Sequence, residues 1–231
     1  MQTITITNMS KVLKEQTVLN NISISLPKGQ IYGFYGRNGS GKTMLFRAIA
    51  GLIIPTEGTI QVFDQVLGKD ASFPANLGLI IENVGFWPHL TGFENLKLLA
   101  MIQNKISDDD ITNAIERVGL FEPKKPYRAY SLGMRQKLAL AQAIMEKPDL
   151  LLLDEPMNSL DEQSVRSMYE VLREEKARGA TILMCSHNKE DLANLCDEIY
   201  IMDTGRCTQA DENFWEQNFV AQNAQEVRRN G

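Results

Sequence analysis

An eight-residue string, Gly36-Arg37-Asn38-Gly39-Ser40-Gly41-Lys42-Thr43, and an acid pair, Asp154-Glu155, carry the chemistry most evident in the chain. The string has the spacing G-x-x-x-x-G-K-[ST] of a phosphate loop. Its glycines let successive backbone N–H groups turn inward on a polyphosphate, Lys42 reaches the terminal phosphates, and the Thr43 hydroxyl is placed to hold Mg²⁺. The expected ligand is a nucleoside triphosphate. Asp154 would hold the metal or its waters, and Glu155 would orient and polarise a water for attack on the γ-phosphate. Hydrolysis, beyond binding, is implied.

The elements around these residues suit that chemistry. Ile31 to Tyr35 reads as a buried strand ahead of the loop, and Met44, Leu45, Ala48 and Ile49 give helical periodicity after it. Leu150 to Leu153 is a second buried strand, delivering the acid pair at its carboxyl end, where open α/β sheets place ligands. A third apolar run, Ala180 to Cys185, ends at Ser186-His187, with a helix from Glu162 to about Arg178 between them. That placement makes His187, rather than His89, the candidate catalytic histidine.

Thr3 to Thr7, Ile22 to Leu26 and Thr59 to Phe63 alternate with period two, as half-exposed antiparallel strands do. From Thr91 the period becomes helical: Thr91 and Glu94 form a capping box, and a second helix follows Ser107. Ser131 caps a third, whose apolar face is Met134, Leu138, Ala141 and Met145. Glu198 to Met202 and Cys207 to Gln209 read as a terminal hairpin around Asp203-Thr204-Gly205, with a loosely packed tail beyond.

With 231 residues, 43% of them hydrophobic, the chain can bury a full core. A net charge of −5 and the lack of a lysine or arginine stripe disfavour nucleic-acid partners. No apolar stretch approaches the ~20 residues that span a bilayer, and no secretory leader is visible, so a soluble, unexported protein is expected. Cys185, Cys196 and Cys207 match no zinc spacing and read as reduced residues of a cytosolic protein.

At this point nearly the whole chain resembles the nucleotide-binding subunits of ABC transporters. Tyr130-Ser131-Leu132-Gly133-Met134 stands where that family has its LSGGQ signature, Asn158 to Asp161 looks like its D-loop, and Ser186-His187 resembles its switch histidine. The resemblance implies a phosphate-loop NTPase, RecA-like α/β core with an antiparallel β subdomain and an inserted α-helical subdomain. As one ABC ATPase domain it would divide into 1–83 and 148–209 for the core and β subdomain, 84–147 for the helical insert, and 210–231 for the tail. It also implies a head-to-tail dimer in which Ser131, Gly133 and Met134 of one subunit grip ATP held by the other, with Asp161 joining the two sites. Separate transmembrane permease subunits would hold the protein at the inner face of the cell membrane.

Two positions depart from the family pattern. Glu82 occupies the Q-loop glutamine position, and the segment Glu82 to Pro88 is similar to ATPase subunits of bacitracin-export and lantibiotic-immunity transporters. There a carboxylate would still ligate Mg²⁺, or else be a plain surface glutamate. Leu13 falls where the family stacks an aromatic ring on the adenine, leaving GTP open beside ATP. Phe86, Trp87 and Leu90 read either as a patch cradling a permease helix or as core. The function expected is an ATP-hydrolysing subunit powering an exporter of peptide antibiotic, drug or other amphipathic substrate. The alternative is a soluble ABC-type ATPase of DNA or ribosomes, whose coiled-coil insertions or tandem cassettes are missing here.

Overall fold

The computed structural model describes residues 3–81, 85–121 and 124–211. Glu82 and residues 212–231 of the expected tail lie outside the described residues. The chain runs β1 (Thr3–Leu13), β2 (Gln16–Pro27), β3 (Ile31–Tyr35), α1 (Lys42–Ile49), β4 (Glu57–Val62), β5 (Gln65–Val66) and β6 (Leu77–Ile80). Three helices follow, α2 (Gly92–Gln103), α3 (Asp108–Arg117) and α4 (Leu132–Ile144), with a 3₁₀ turn at Tyr127–Ala129 before α4. Then come β7 (Leu150–Asp154), α5 (Glu162–Ala177), β8 (Thr181–Ser186), α6 (Lys189–Leu195), β9 (Glu198–Asp203) and β10 (Arg206–Gln209).

Two sheets result. The antiparallel one has the order β2-β1-β4-β5, and the other has the order β10-β9-β3-β8-β7-β6. In the second sheet β9, β3, β8, β7 and β6 are mutually parallel, while β10 pairs antiparallel on β9. Continuous apolar runs form the parallel strands because both faces are covered. In β7 the side chains of Leu150 and Leu152 enter the core shared with the antiparallel sheet and α1, whereas Leu151 and Leu153 enter the core under α4, α5 and α6. β8 divides the same way, with Leu183 and Cys185 on one side and Ile182 and Met184 on the other. All four leucines of β7 are fully buried, each worth about 1.5–3 kcal/mol of transfer free energy. Asp154 therefore leaves the sheet at the end of one of its most deeply buried strands.

The helices start where the capping chemistry says they should. Thr91 and Glu94 close a capping box on α2, and Ser107 with Asp110 closes another on α3. Ser131 caps α4 by accepting from the Met134 N–H, and Asp161 caps α5 by accepting from the Ser164 N–H. The Ser107 backbone N–H and hydroxyl donors and Lys147 lower the Asp110 carboxyl to about 2. The Ser164 N–H and hydroxyl lower Asp161.

The helices from α2 to α4 are tied to the rest of the chain by charge as well as packing. Glu175 on α5 is buried and receives Arg117 from the end of α3 at 2.8 Å and Arg178 at 2.7 Å. Phe86 packs into the core edge-on to Tyr127, with ring centroids 5.2 Å apart, while Trp87 remains 55% exposed. The two aromatic readings thus divide: Phe86 is core and Trp87 is surface.

Candidate functional site

α1 differs from the other α-helices described. Each of the other five has a side-chain cap, whereas α1 begins after Gly41 in the left-handed region (φ 107°) with no side-chain cap and no acid in its first turn. Its leading N–H groups are left for a ligand, and the helix end favours an anion. The Lys42 amine is buried and donates to the carbonyls of Gly36 (2.6 Å) and Arg37 (3.2 Å), not to a carboxylate. The Ser40 hydroxyl is buried with no hydrogen-bond partner. An uncompensated buried cation, an orphaned hydroxyl and uncapped N–H groups within one loop fit a polyphosphate.

The loop's tight course is set by its neighbours. A Cβ on Gly36 would lie 2.3 Å from the Met202 carbonyl oxygen and 2.7 Å from Ser40 Oγ, and a Cβ on Gly41 would lie 3.0 Å from the Val18 carbonyl. Gly36→Ala must displace backbone at a cost of about 1–3 kcal/mol. The expected outcome is a lowered melting temperature and nucleotide affinity weakened at least about ten-fold, read by thermal melting and fluorescent-nucleotide titration. Unchanged affinity would show that the loop does not need this course.

Thr43 Oγ1 donates to Asp154 Oδ2 at 2.5 Å, bringing together a hydroxyl and a carboxylate separated by most of the sheet in sequence. Lys42, Thr43, Asp154 and Glu155 share a cavity of about 420 Å³. Glu155 Oε2 meets His187 Nδ1 at 2.8 Å. Glu155 has φ 52°, a left-handed conformation costly for a residue with a Cβ. Its N–H donates to the Cys185 carbonyl at 3.0 Å. Gln136 of α4 donates to the carbonyls of Glu155 (3.4 Å) and Pro156 (2.9 Å), supporting that turn from the other side.

The acid pair also faces a second cavity, of about 750 Å³, whose walls include Tyr127, Arg135, Gln136 and Ser159. Arg135 lies over the Tyr127 ring, 5.1 Å from its centroid. Ser131 is exposed at the start of α4, and Leu132 beside it is 67% exposed. Gly133 packs so closely on the loop before α5 that a Cβ there would lie 3.0 Å from the Ser159 carbonyl oxygen. Ser131, Gly133, Met134 and Asp161 do not line the cavity of their own phosphate loop. Arg37, Asn38 and Gly39 are exposed at the loop's tip.

Leu13 stands at the tip of the β1–β2 hairpin, 40% exposed and outside the walls of the loop's cavity. Gln16, Thr17 and Val18 line it instead, together with Thr204 and Gly205. Sequence reasoning missed these residues and Gln136. The β2 residues carry no motif of their own and arrive only through the hairpin that folds over the loop.

Strand, uncapped glycine loop, helix, and an acid pair at the end of a parallel strand define a phosphate-loop nucleotide hydrolase. Residues 19–158 match the family model described as ABC transporter. The chain belongs to that family, as one of its ATP-binding, ATP-hydrolysing subunits. It is 52% identical over 205 residues to the uncharacterized ABC transporter ATP-binding protein YybJ of Bacillus subtilis, covering 88% of this chain and 94% of that one. It is 40% identical to the bacitracin transport ATP-binding protein BcrA of Enterococcus faecalis over 86% of this chain, which spans 65% of that protein. A solved structure of an ATP-binding subunit of an ABC transporter superposes with a TM-score of 0.82 at 25% identity, covering 94% of this chain and 93% of the other.

Proposed function

We infer that this subunit drives export of a peptide antibiotic or similar amphipathic molecule, as a head-to-tail dimer beneath separate membrane-spanning chains. The observation that carries the hydrolytic reading is the convergence of Lys42, Thr43, Asp154 and Glu155 on one cavity, with His187 on the Glu155 carboxylate. ATP would lie with its phosphates on the loop Gly36 to Thr43, which supplies N–H donors and the Lys42 charge. The Thr43 hydroxyl and the Asp154 carboxylate are hard oxygen donors suited to Mg²⁺, which when bound offsets phosphate charge and orients the terminal group. Glu82 is assigned to the same metal by resemblance alone.

Glu155 accepts a hydrogen bond from the attacking water, whose oxygen bonds to the γ-phosphorus as the bond to the ADP oxygen breaks. His187 Nδ1 donates to the Glu155 carboxylate, so Nε2 would donate to a γ-phosphate oxygen only in the imidazolium form, with both ring nitrogens protonated. The exposed Ser131 end of α4, with Gly133 and Met134, would close the γ-phosphate site of a second subunit. Close packing of Gly133 on Ser159 joins that end to the segment ending in Asp161. The division into a core with its β subdomain (1–83 and 148–209), a helical insert (84–147) and a tail (210–231) follows this assignment.

Among the described residues no helix is long and apolar enough to cross a membrane, so movement of cargo needs partner chains. The exposed Trp87 ring beside buried Phe86 is the surface assigned to a permease helix. A cargo test follows from the likeness to the bacitracin protein. Cells lacking the gene should become more sensitive to bacitracin or a lantibiotic, with resistance restored by the wild-type chain but not by Glu155→Gln. Sensitivity unchanged across both classes would overturn the cargo assignment while leaving the ATPase reading intact.

A further inference from the structure

Behind His187 lies a carboxylate that the hydrolytic step does not use. Asp191, in the first turn of α6, is 5% exposed, yet neither lysine nor arginine stands within ion-pair distance of it among the described residues. Two hydroxyls serve it instead. Tyr169 of α5 donates to Oδ1 at 2.7 Å and Ser186 at the end of β8 donates to Oδ2 at 3.0 Å. The Ser186 oxygen in turn accepts from the Asn188 N–H at 3.0 Å, bracketing His187 within a closed turn. Ser186 is 2% exposed and Tyr169 9%. Burial, and then the bond to Asp191, raise the Tyr169 hydroxyl far above its ordinary range, so it stays a donor.

A buried charge without a cation is costly, and an apolar residue would fill the same space at lower cost. Such a group is kept where it fixes geometry. The His187 ring needs that service: its side chain is 62% exposed and borders a cavity of about 460 Å³, so packing does not hold it. Its orientation depends on the turn from Ser186 to Asn188 and on the Glu155 contact. Tyr169 lies two helical turns along α5 from the cap Asp161, so the same carboxylate ties the D-loop helix to the histidine's turn.

We propose that Asp191 is a positioning residue for hydrolysis, holding the Ser186–Asn188 turn against α5 so that the His187 imidazole is presented to Glu155. This rests on His187 belonging to the hydrolytic machinery. Asp191→Asn puts an NH₂ donor in place of one of the two acceptor oxygens, so one hydroxyl loses its acceptor, and should lower kcat by up to about 100-fold, with KM for ATP within about two-fold of the wild type. In a His187→Ala background the same change should alter the residual rate by less than about two-fold, because its route of action is gone.

The chain has two histidines, so the imidazole resonances are assigned by their loss in His187→Ala. Asp191→Asn and, more mildly, Tyr169→Phe should shift or broaden the His187 signals and leave those of His89 in place. Unmoved His187 signals in both variants, or an equal fold-loss with and without His187, would overturn the proposal. Should Asp191→Asn not fold, Tyr169→Phe decides the matter by the same resonances. If His187→Ala leaves kcat intact, the assigned role of His187 fails, while the resonances still report whether Asp191 positions the ring.

Discussion

Glu155→Gln is expected to bind ATP with near wild-type affinity and to lose about 10³-fold or more in kcat. The amide keeps the size of the side chain and can still accept from His187 across the 2.8 Å contact. What it loses is the negative charge that, in the proposed role, draws a proton from the attacking water. General-base contributions run at ~10²–10⁴ in rate, or about 3–5 kcal/mol of barrier. Loss confined to kcat marks an interaction made in the transition state. Phosphate release at the wild-type rate would reject Glu155 as the water-activating group, and weakened binding alone would assign it to the ground state.

Ser131→Arg should abolish ATP-dependent dimerisation. Ser131 is exposed, and its hydroxyl accepts from the Met134 N–H at 3.2 Å, so the capped start of α4 stands at the surface. An arginine there removes the cap and, in the proposed dimer, places a long side chain where the partner's γ-phosphate would approach. Loss of the cap alone costs about 1 kcal/mol, so Ser131→Ala is the control: it should melt slightly lower but still dimerise. Gel filtration of both, in the Glu155→Gln background with Mg·ATP, separates the effects. A Ser131→Arg protein that still elutes as a dimer would remove this helix end from the nucleotide interface.

The catalytic elements were legible because each leaves a local signature. The glycine loop, the run Leu150 to Leu153 with its acid pair, and the caps Thr91, Ser131 and Asp161 all follow from neighbours in sequence, and the structure forms each of them. Elements that depend on distant partners were not legible. The β1–β2 hairpin turns on Lys14 and Glu15, both at positive φ (44° and 68°), where a glycine or asparagine would have advertised the bend. The β9–β10 turn, at Thr204 and Gly205, carries such a glycine and was read. The unread hairpin brings Gln16 to Val18 into the loop's cavity and leaves Leu13 outside its walls. α6 escaped notice because seven residues, three of them the charged Lys189, Glu190 and Asp191, show too little periodicity. Glu155's backbone strain and its support by Gln136 arise only when α4 meets the end of β7.

The account is tested most directly by the solution mass of the Glu155→Gln protein, measured by small-angle X-ray scattering with and without saturating Mg·ATP. One nucleotide gripped between the loop of one subunit and the Ser131 helix of its twin requires a doubling of mass with ATP and one ATP retained per chain. Single chains at saturating nucleotide would contradict it.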